Sequence, residues 1–317
     1  GGTEANNLAI KGIFRAPGMN SRHLVISAVE HPSISRTAQA LADTGEIQLD
    51  RCRVNREGLL DFDHLRELLK EETALVSVIV VQNEVGTLQN LIELRHLLDE
   101  YAPQALLHLD AVQAVGKVDL PFKEIRPDMI SISGHKIHAP GGTGALLIRK
   151  DLKIEPLFHG GGQQNNLRSG SLDATGIIAF LLAGIQILAN REAFATHVRS
   201  LRNRLIGELQ KLSSQKGFPW PIHIVTPIDH ASPYILSFLL KNAQGAVIAR
   251  FLDEKDVCVG TGSACSAQKQ GPSSTLLAMG YPASDAYGML RVSFGCHSTW
   301  TECEAFLHAL RWTAEVY

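Results

Sequence analysis

A chain of 317 residues that is 45% hydrophobic and 20% charged, with a formal net charge of −2, has the composition of a globular protein of two domains or one large one. Thirty Lys and Arg against thirty-two Asp and Glu leave no basic excess to grip a phosphate backbone, so no direct nucleic-acid binding is expected. The longest apolar run, Ala174–Ala189, is interrupted by Gly184 and Gln186 and falls short of the ~18–20 residues of a membrane span, so it reads as a buried helix.

Gly1-Gly2-Thr3-Glu4 reads as a helix start, with Thr3 near the cap, Glu4 in the first turn, and open N–H groups that suit an anion. From there to residue 150, short β-branched runs alternate with helical patterns, which predicts a parallel sheet covered by helices. Strands are predicted at 24–29, 51–54, 75–81 and 105–109, and helices at 33–43, from Asp61 and from Asn90. The stretch 129–144, MISISGHKIHAPGGTG, is an apolar strand that delivers Lys136 to a glycine-rich turn. A lysine is costly to bury while charged, and one presented this way serves as a nucleophile or Schiff-base amine.

Four apolar runs thus stop at His31, Asn83, Asp110 and Lys136, with Gln113 close behind. Ligands of open α/β sheets bind at the carboxyl ends of the strands. Together the four groups describe a pocket for pyridoxal 5′-phosphate (PLP): Lys136 for the aldehyde, Asp110 for the pyridine nitrogen, and His31 as a flat ring to stack on it. Asn83 and Gln113 can reach the ring oxygen, while Gly2, Thr3, Ser133 and His135 can hold the phosphate.

In the second half, polar glycine-rich segments at 159–162 and 168–171 suit a subunit contact. Residues 175–212 form one long or two consecutive helices. They lead to a smaller α/β part with strands at 222–225, 235–239 and 290–294 and a helix at 246–253. A Thr301-x-x-Glu304 capping box is expected to open the last helix, with Phe306, Leu307 and Leu310 inward. The domains are placed at 1–180, which binds the cofactor, and 181–317. Arg291 sits inside a strand pattern, where a guanidinium needs an anion, and an amino-acid carboxylate is its best bidentate match. Five cysteines without a C-x-x-C pair argue against a disulfide framework or a metal site and for a reducing, cytoplasmic compartment. Cys265 lies among small polar residues on a reachable loop, whereas Cys52, Cys258, Cys296 and Cys303 are expected to pack as small hydrophobes.

The segments GGTEANN, EHPSI, QNEVG, LDAVQA, SISGHK, GGGQQNNLRSGS and GSACS, in this order, resemble the cysteine desulfurases of the NifS/IscS type. These are PLP-dependent enzymes of fold type I within the class V aminotransferase group. The resemblance implies a large domain with a mostly parallel sheet covered by helices, and a smaller C-terminal α/β domain. It implies Lys136 as the Schiff-base lysine, His31 as stacking and acid/base residue, Asp110 at the pyridine nitrogen, Gln113 at the ring oxygen, and Thr3, Ser133 and His135 at the phosphate. Ser171 stands where the family has a threonine that reaches the phosphate of the neighbouring subunit, so a homodimer is expected. Relatives begin several dozen residues earlier, so a preceding segment is expected to be missing.

The implied activity converts L-cysteine to L-alanine, with the substrate carboxylate on Arg291 and Asn83. The sulfur passes to Cys265 and on to an acceptor protein, an iron–sulfur scaffold or a tRNA-thiolation factor. The alternatives are a selenocysteine lyase or another class V aminotransferase, and a non-catalytic sulfur-relay scaffold.

Overall fold

A computed structural model describes residues 1–262 and 271–317. The chain divides into two compact units, one of residues 1–54, 60–81 and 89–190, the other of residues 55–59, 82–88 and 191–317.

In the first unit, helix α1 (Gly2–Phe14) precedes β1 (His23–Ser27), α2 (Pro32–Asp43), β2 (Gln48–Cys52), α3 (Phe62–Leu68), β3 (Thr73–Ile79), α4 (Leu91–Tyr101), β4 (Leu106–Asp110), α5 (Phe122–Ile125) and β5 (Met129–Ser133). The sheet order is β2-β1-β3-β4-β5, all parallel, and β6 (Gly144–Ile148) pairs antiparallel with β5 at one edge. β1, β3 and β5 are buried along their full length, which is why they are mostly apolar, with only small hydroxyls and one imidazole among them. Ile10, Ile13, Phe14, Leu24, Ile26, Ile34 and Leu75 form the core between sheet and helices, and each such side chain contributes about 1.5–3 kcal/mol of burial. Asp61 and Asn90 cap α3 and α4 by accepting the backbone N–H of His64 and Glu93.

Helix α6 (Ala174–Ala189) closes the first unit and packs against the 3₁₀ turn Gly134–Ile137. It is not the buried helix expected. Only Gly176 and Ile187 are buried, while Leu182 is 62% and Ile185 66% exposed, with Ile178, Leu181 and Leu188 also open. An amphipathic helix has one apolar stripe to bury. This one is apolar all round and has a neighbour on one side.

In the second unit, the first helix is α7 (Arg191–Ser213), so the predicted 175–212 region is two consecutive helices, α6 in the first unit and α7 in the second. Among the described residues no single helix is long and apolar enough to cross a membrane. β7 (Ile222–Ile224), β8 (Ile235–Leu240) and β9 (Met289–Ser293) form an antiparallel sheet in the order β7-β8-β9. It is accompanied by α8 (Gly245–Asp253), α9 (Ser274–Ala278), α10 (Ala283–Ala286) and α11 (Trp300–Val316). Leu205, Leu209, Leu236, Phe238, Ile248 and Leu310 fill its core. The capping box of α11 is Thr299 with Glu302, not Thr301 with Glu304. The cause is visible beside it: the Trp300 indole donates to Glu304 Oε1 at 2.6 Å, which commits that carboxylate elsewhere.

Candidate active site

β1, β3, β4 and β5 run parallel, so their carboxyl ends lie along one edge of the first unit's sheet. Asp110 is the last residue of β4 and is buried. Its Oδ1 accepts the Val112 N–H at 3.1 Å and its Oδ2 accepts Asn6 Nδ2 at 2.8 Å. Burial pushes this carboxyl up, and the Val112 and Asn6 donors and the His31 ring pull it back. Both hydrogen-bonding partners are neutral, so the buried carboxylate fits a cationic N–H such as a protonated pyridine nitrogen.

His31 is the N-cap of α2, and its ring takes the place usually filled by a side-chain oxygen: Nδ1 accepts the Ser33 N–H at 3.1 Å and lies 2.7 Å from Ser33 Oγ. Burial lowers its pKa, Asp110 opposes this, and the charge of Lys136 lowers it further. Lys136 follows β5 on the 3₁₀ turn Gly134–Ile137 rather than at the strand end itself. Its charge also lowers His135 and Lys117, in both cases after burial, so the amine stands among imidazoles and a second amine. Gly134 opens that turn, where a Cβ would lie 2.0 Å from Thr143 Oγ1. A side chain there would displace the segment that carries the lysine.

Ser133 Oγ and His135 Nδ1 are 2.9 Å apart, next to the N-terminus of α1. A Cβ on Gly2 would come within 3.2 Å of Ser133 Cβ and 2.9 Å of Val112, which places the first turn of α1 against the end of β5. No side chain caps α1, and Thr3 stands exposed in its first turn. Glu4, the acid of that turn, is held below the usual carboxylate range by Arg168, whose Nε donates to it at 2.8 Å. With that charge countered, open N–H groups, a hydroxyl and an imidazole form a cradle suited to a phosphate. Gln113 accepts from Lys117 Nζ at 2.9 Å, and burial first and Lys136 second bring Lys117 down to about 8. Ser171 is exposed in the loop leading to α6, and the structure does not bring it to the others.

Asn83 and Arg291 belong to the second unit. Arg291, on β9, donates from Nη1 to the carbonyl of Asn83 at 2.9 Å and to that of Gly262 at 3.4 Å, and the Asn83 Oδ1 is buried without a hydrogen-bond partner. The guanidinium expected to meet an anion is thus set on backbone carbonyls beside Asn83. Next to them, Glu84 accepts the hydroxyls of Ser273 at 2.6 Å and Thr275 at 3.1 Å. Cys265 lies outside the described residues. Of the cysteines expected to pack, Cys52 and Cys303 are buried, whereas Cys296 is half-buried and Cys258 is exposed, because the chain after α8 turns Cys258 toward Asp253 at the surface. Among the described residues no cluster of His, Cys, Asp or Glu could hold a metal ion.

Asn6, Ser33, Glu30 and Lys117 were not singled out by motif. Glu30 is buried, accepts the Ile79 N–H through Oε1 at 2.7 Å, and is pushed well above its ordinary value by burial, with the Asp110 charge adding to the rise. The available signal was its place beside His31 at the end of the β1 run.

A mostly parallel α/β unit with a lysine, an imidazole and a buried carboxylate at or just beyond its strand ends, beside a cradle suited to a phosphate, defines the fold-type I class of PLP-dependent enzymes. The chain belongs to the aminotransferase class-V family, whose model matches residues 1–306. It is 36% identical over 299 residues to the cysteine desulfurase IscS of Dictyoglomus turgidum, covering 94% of this chain and 74% of that protein. A solved NifS-like protein superposes with a TM-score of 0.88 at 29% identity, over 99% of this chain and 80% of that one. The structure of SspA in complex with cysteine superposes with a TM-score of 0.76 at 27% identity, over 94% of this chain and 81% of that one.

Proposed function

We propose that this chain is a PLP-dependent cysteine desulfurase that converts L-cysteine to L-alanine and hands the sulfur to an acceptor protein by way of Cys265. The observation that carries the proposal is the meeting of Lys136, His31 and buried Asp110 on one sheet edge, in a family that includes named cysteine desulfurases.

When bound, PLP supplies an electron sink for the pair released at the substrate α-carbon. Asp110 would hold the proton on the pyridine nitrogen, and His31 would stack on the ring. Gly2, Thr3, Ser133 and His135 would bind the phosphate, with Ser171 given by a second copy, while Gln113 and Asn83 would serve the ring oxygen. Lys136 would anchor the aldehyde carbon, and its amine is the base to take the substrate α-proton. Arg291 and Asn83 hold the substrate carboxylate. Cys265 as thiolate then attacks the substrate sulfur: the new S–S bond forms as the Cβ–S bond breaks. The electron pair of that bond stays with the carbon fragment, which is protonated to alanine.

A homodimer is part of the same proposal, and the open apolar face of α6 supports it: six large exposed hydrophobic side chains on one helix are what a second copy covers. A cytoplasmic setting rests on the chemistry of the thiol, and no disulfide joins Cys52, Cys258, Cys296 or Cys303. The test is alanine and sulfide release from L-cysteine by the holoenzyme, beside Cys265→Ala. Turnover by the parent and its loss in the variant support the proposal, whereas equal sulfide release from both removes Cys265 from the reaction.

A further inference from the structure

His31 is tied to Asp110 by a chain of hydrogen bonds whose direction can be worked out bond by bond. The Ser33 backbone N–H donates to His31 Nδ1 at 3.1 Å. A peptide N–H can only donate, so Nδ1 carries a lone pair and the proton of the neutral ring sits on Nε2. At the far end, Asp110 is acceptor-only when ionised, so the Asn6 amide must turn its NH₂ toward Oδ2, 2.8 Å away. The same NH₂ gives its other hydrogen to Ser33 Oγ at 2.8 Å. Because Nδ1 bears no hydrogen, the Ser33 hydroxyl is the donor across the 2.7 Å to His31 Nδ1, sharing its lone pair with the Ser33 N–H. Asn6 is 1%, Ser33 8% and Asp110 2% exposed, so bulk water does not compete with this pattern. Asn6 Oδ1 is buried with no hydrogen-bond partner, a cost the fold bears to keep the amide so oriented.

We infer that Asn6 and Ser33 are positioning residues, forming a directional relay that holds Asp110 and locks His31 as its Nε2–H tautomer. Whatever proton His31 gives or takes in the reaction therefore passes through Nε2. This last consequence rests on the proposed function; the tautomer is a property of the chain itself. The charged groups acting on the ring are Asp110, Lys136 and Arg36.

The test is a long-range ¹H–¹⁵N correlation spectrum of the histidine-labelled full chain, with and without PLP, the His31 signals being those lost in His31→Gln. The expected wild-type pattern is a protonated Nε2 and an unprotonated Nδ1, the Nε2–H form exceeding the other by about tenfold, the ratio one ordinary hydrogen bond maintains. Ser33→Ala keeps the backbone donor and removes the hydroxyl, so the ratio falls several-fold, and Ser33→Thr restores it. A change in packing alone would not be reversed in this way. An Nδ1–H pattern in the wild type, or a ratio unmoved in Ser33→Ala, overturns the inference. Cysteine turnover measured on the same samples separates the two claims: a correct tautomer without turnover defeats the proposed function alone, and turnover with the wrong tautomer defeats the relay alone.

Discussion

His108 makes the first unit sensitive to acid, and the size of the effect follows from its surroundings. The ring lies fully buried in the central strand β4, with Nδ1 2.8 Å from Ser77 Oγ on β3 and Nε2 2.9 Å from Ser131 Oγ on β5. One ring nitrogen donates and the other accepts, so the neutral imidazole satisfies both hydroxyls. Burial brings its pKa down to about 3 from the ordinary histidine value. Between about pH 6.5 and that lowered value the unfolded chain binds one more proton than the native chain, so stability falls as pH falls through this window. Integrated from about pH 7.5 to about pH 5.5, the loss assignable to His108 is about 1.4 kcal/mol. His108→Asn keeps a polar group of fixed charge in its place. The variant is less stable at neutral pH, since one hydroxyl loses its partner at a cost of about 1–3 kcal/mol, but its stability gap from the wild type narrows by about 1.4 kcal/mol on acidification. Urea unfolding at matched pH values reads the gap, and other titrating groups cancel in the difference. A gap that stays constant with pH would refute the reasoning, because His108 would then titrate alike in both states.

Two further outcomes are expected. Burial raises the Glu30 carboxyl well above its ordinary value, so its contribution is full below the ordinary glutamate pKa and is lost as pH rises above it towards the raised value. Glu30→Gln, which can still accept the Ile79 N–H, flattens the decline of stability as pH rises above the ordinary glutamate value, and a slope equal to that of the wild type in urea unfolding would contradict the assignment. On α6, the pair Leu182→Glu and Ile185→Glu places charges on the open apolar face, so light scattering after size-exclusion chromatography should show the mass fall from two chains to one with the circular dichroism unchanged; an unaltered mass would argue against that face as the contact.

Much of this was legible in the sequence because burial on both faces leaves an unmistakable mark. The runs of β1, β3 and β5 carry β-branched residues and that of β4 is leucine-rich, and the polar residues His31, Asp110 and Lys136 stand at or shortly beyond their ends in the sequence. β6 was not legible: its residues follow a Pro-Gly-Gly-Thr-Gly run that reads as loop, and only the antiparallel edge of β5 makes them a strand. The two overlapping Thr-x-x-Glu patterns before α11 could not be ranked locally, since the choice depends on the Trp300 indole taking Glu304. Hydrophobicity identified α6 as a helix but not its exposure, which depends on what packs against it in three dimensions. Asn6 lies 104 positions from Asp110, and no local pattern announces that contact. The relay through Ser33 became visible only when the strand order brought α1, α2 and the end of β4 together.

The most direct measurement is the absorbance spectrum of the purified chain with PLP, taken before and after borohydride and followed by peptide mapping, beside Lys136→Ala. The account predicts a visible band that borohydride abolishes while fixing the cofactor covalently to Lys136, and neither band nor label in the variant. A spectrum and labelling pattern identical in the wild type and Lys136→Ala would contradict it.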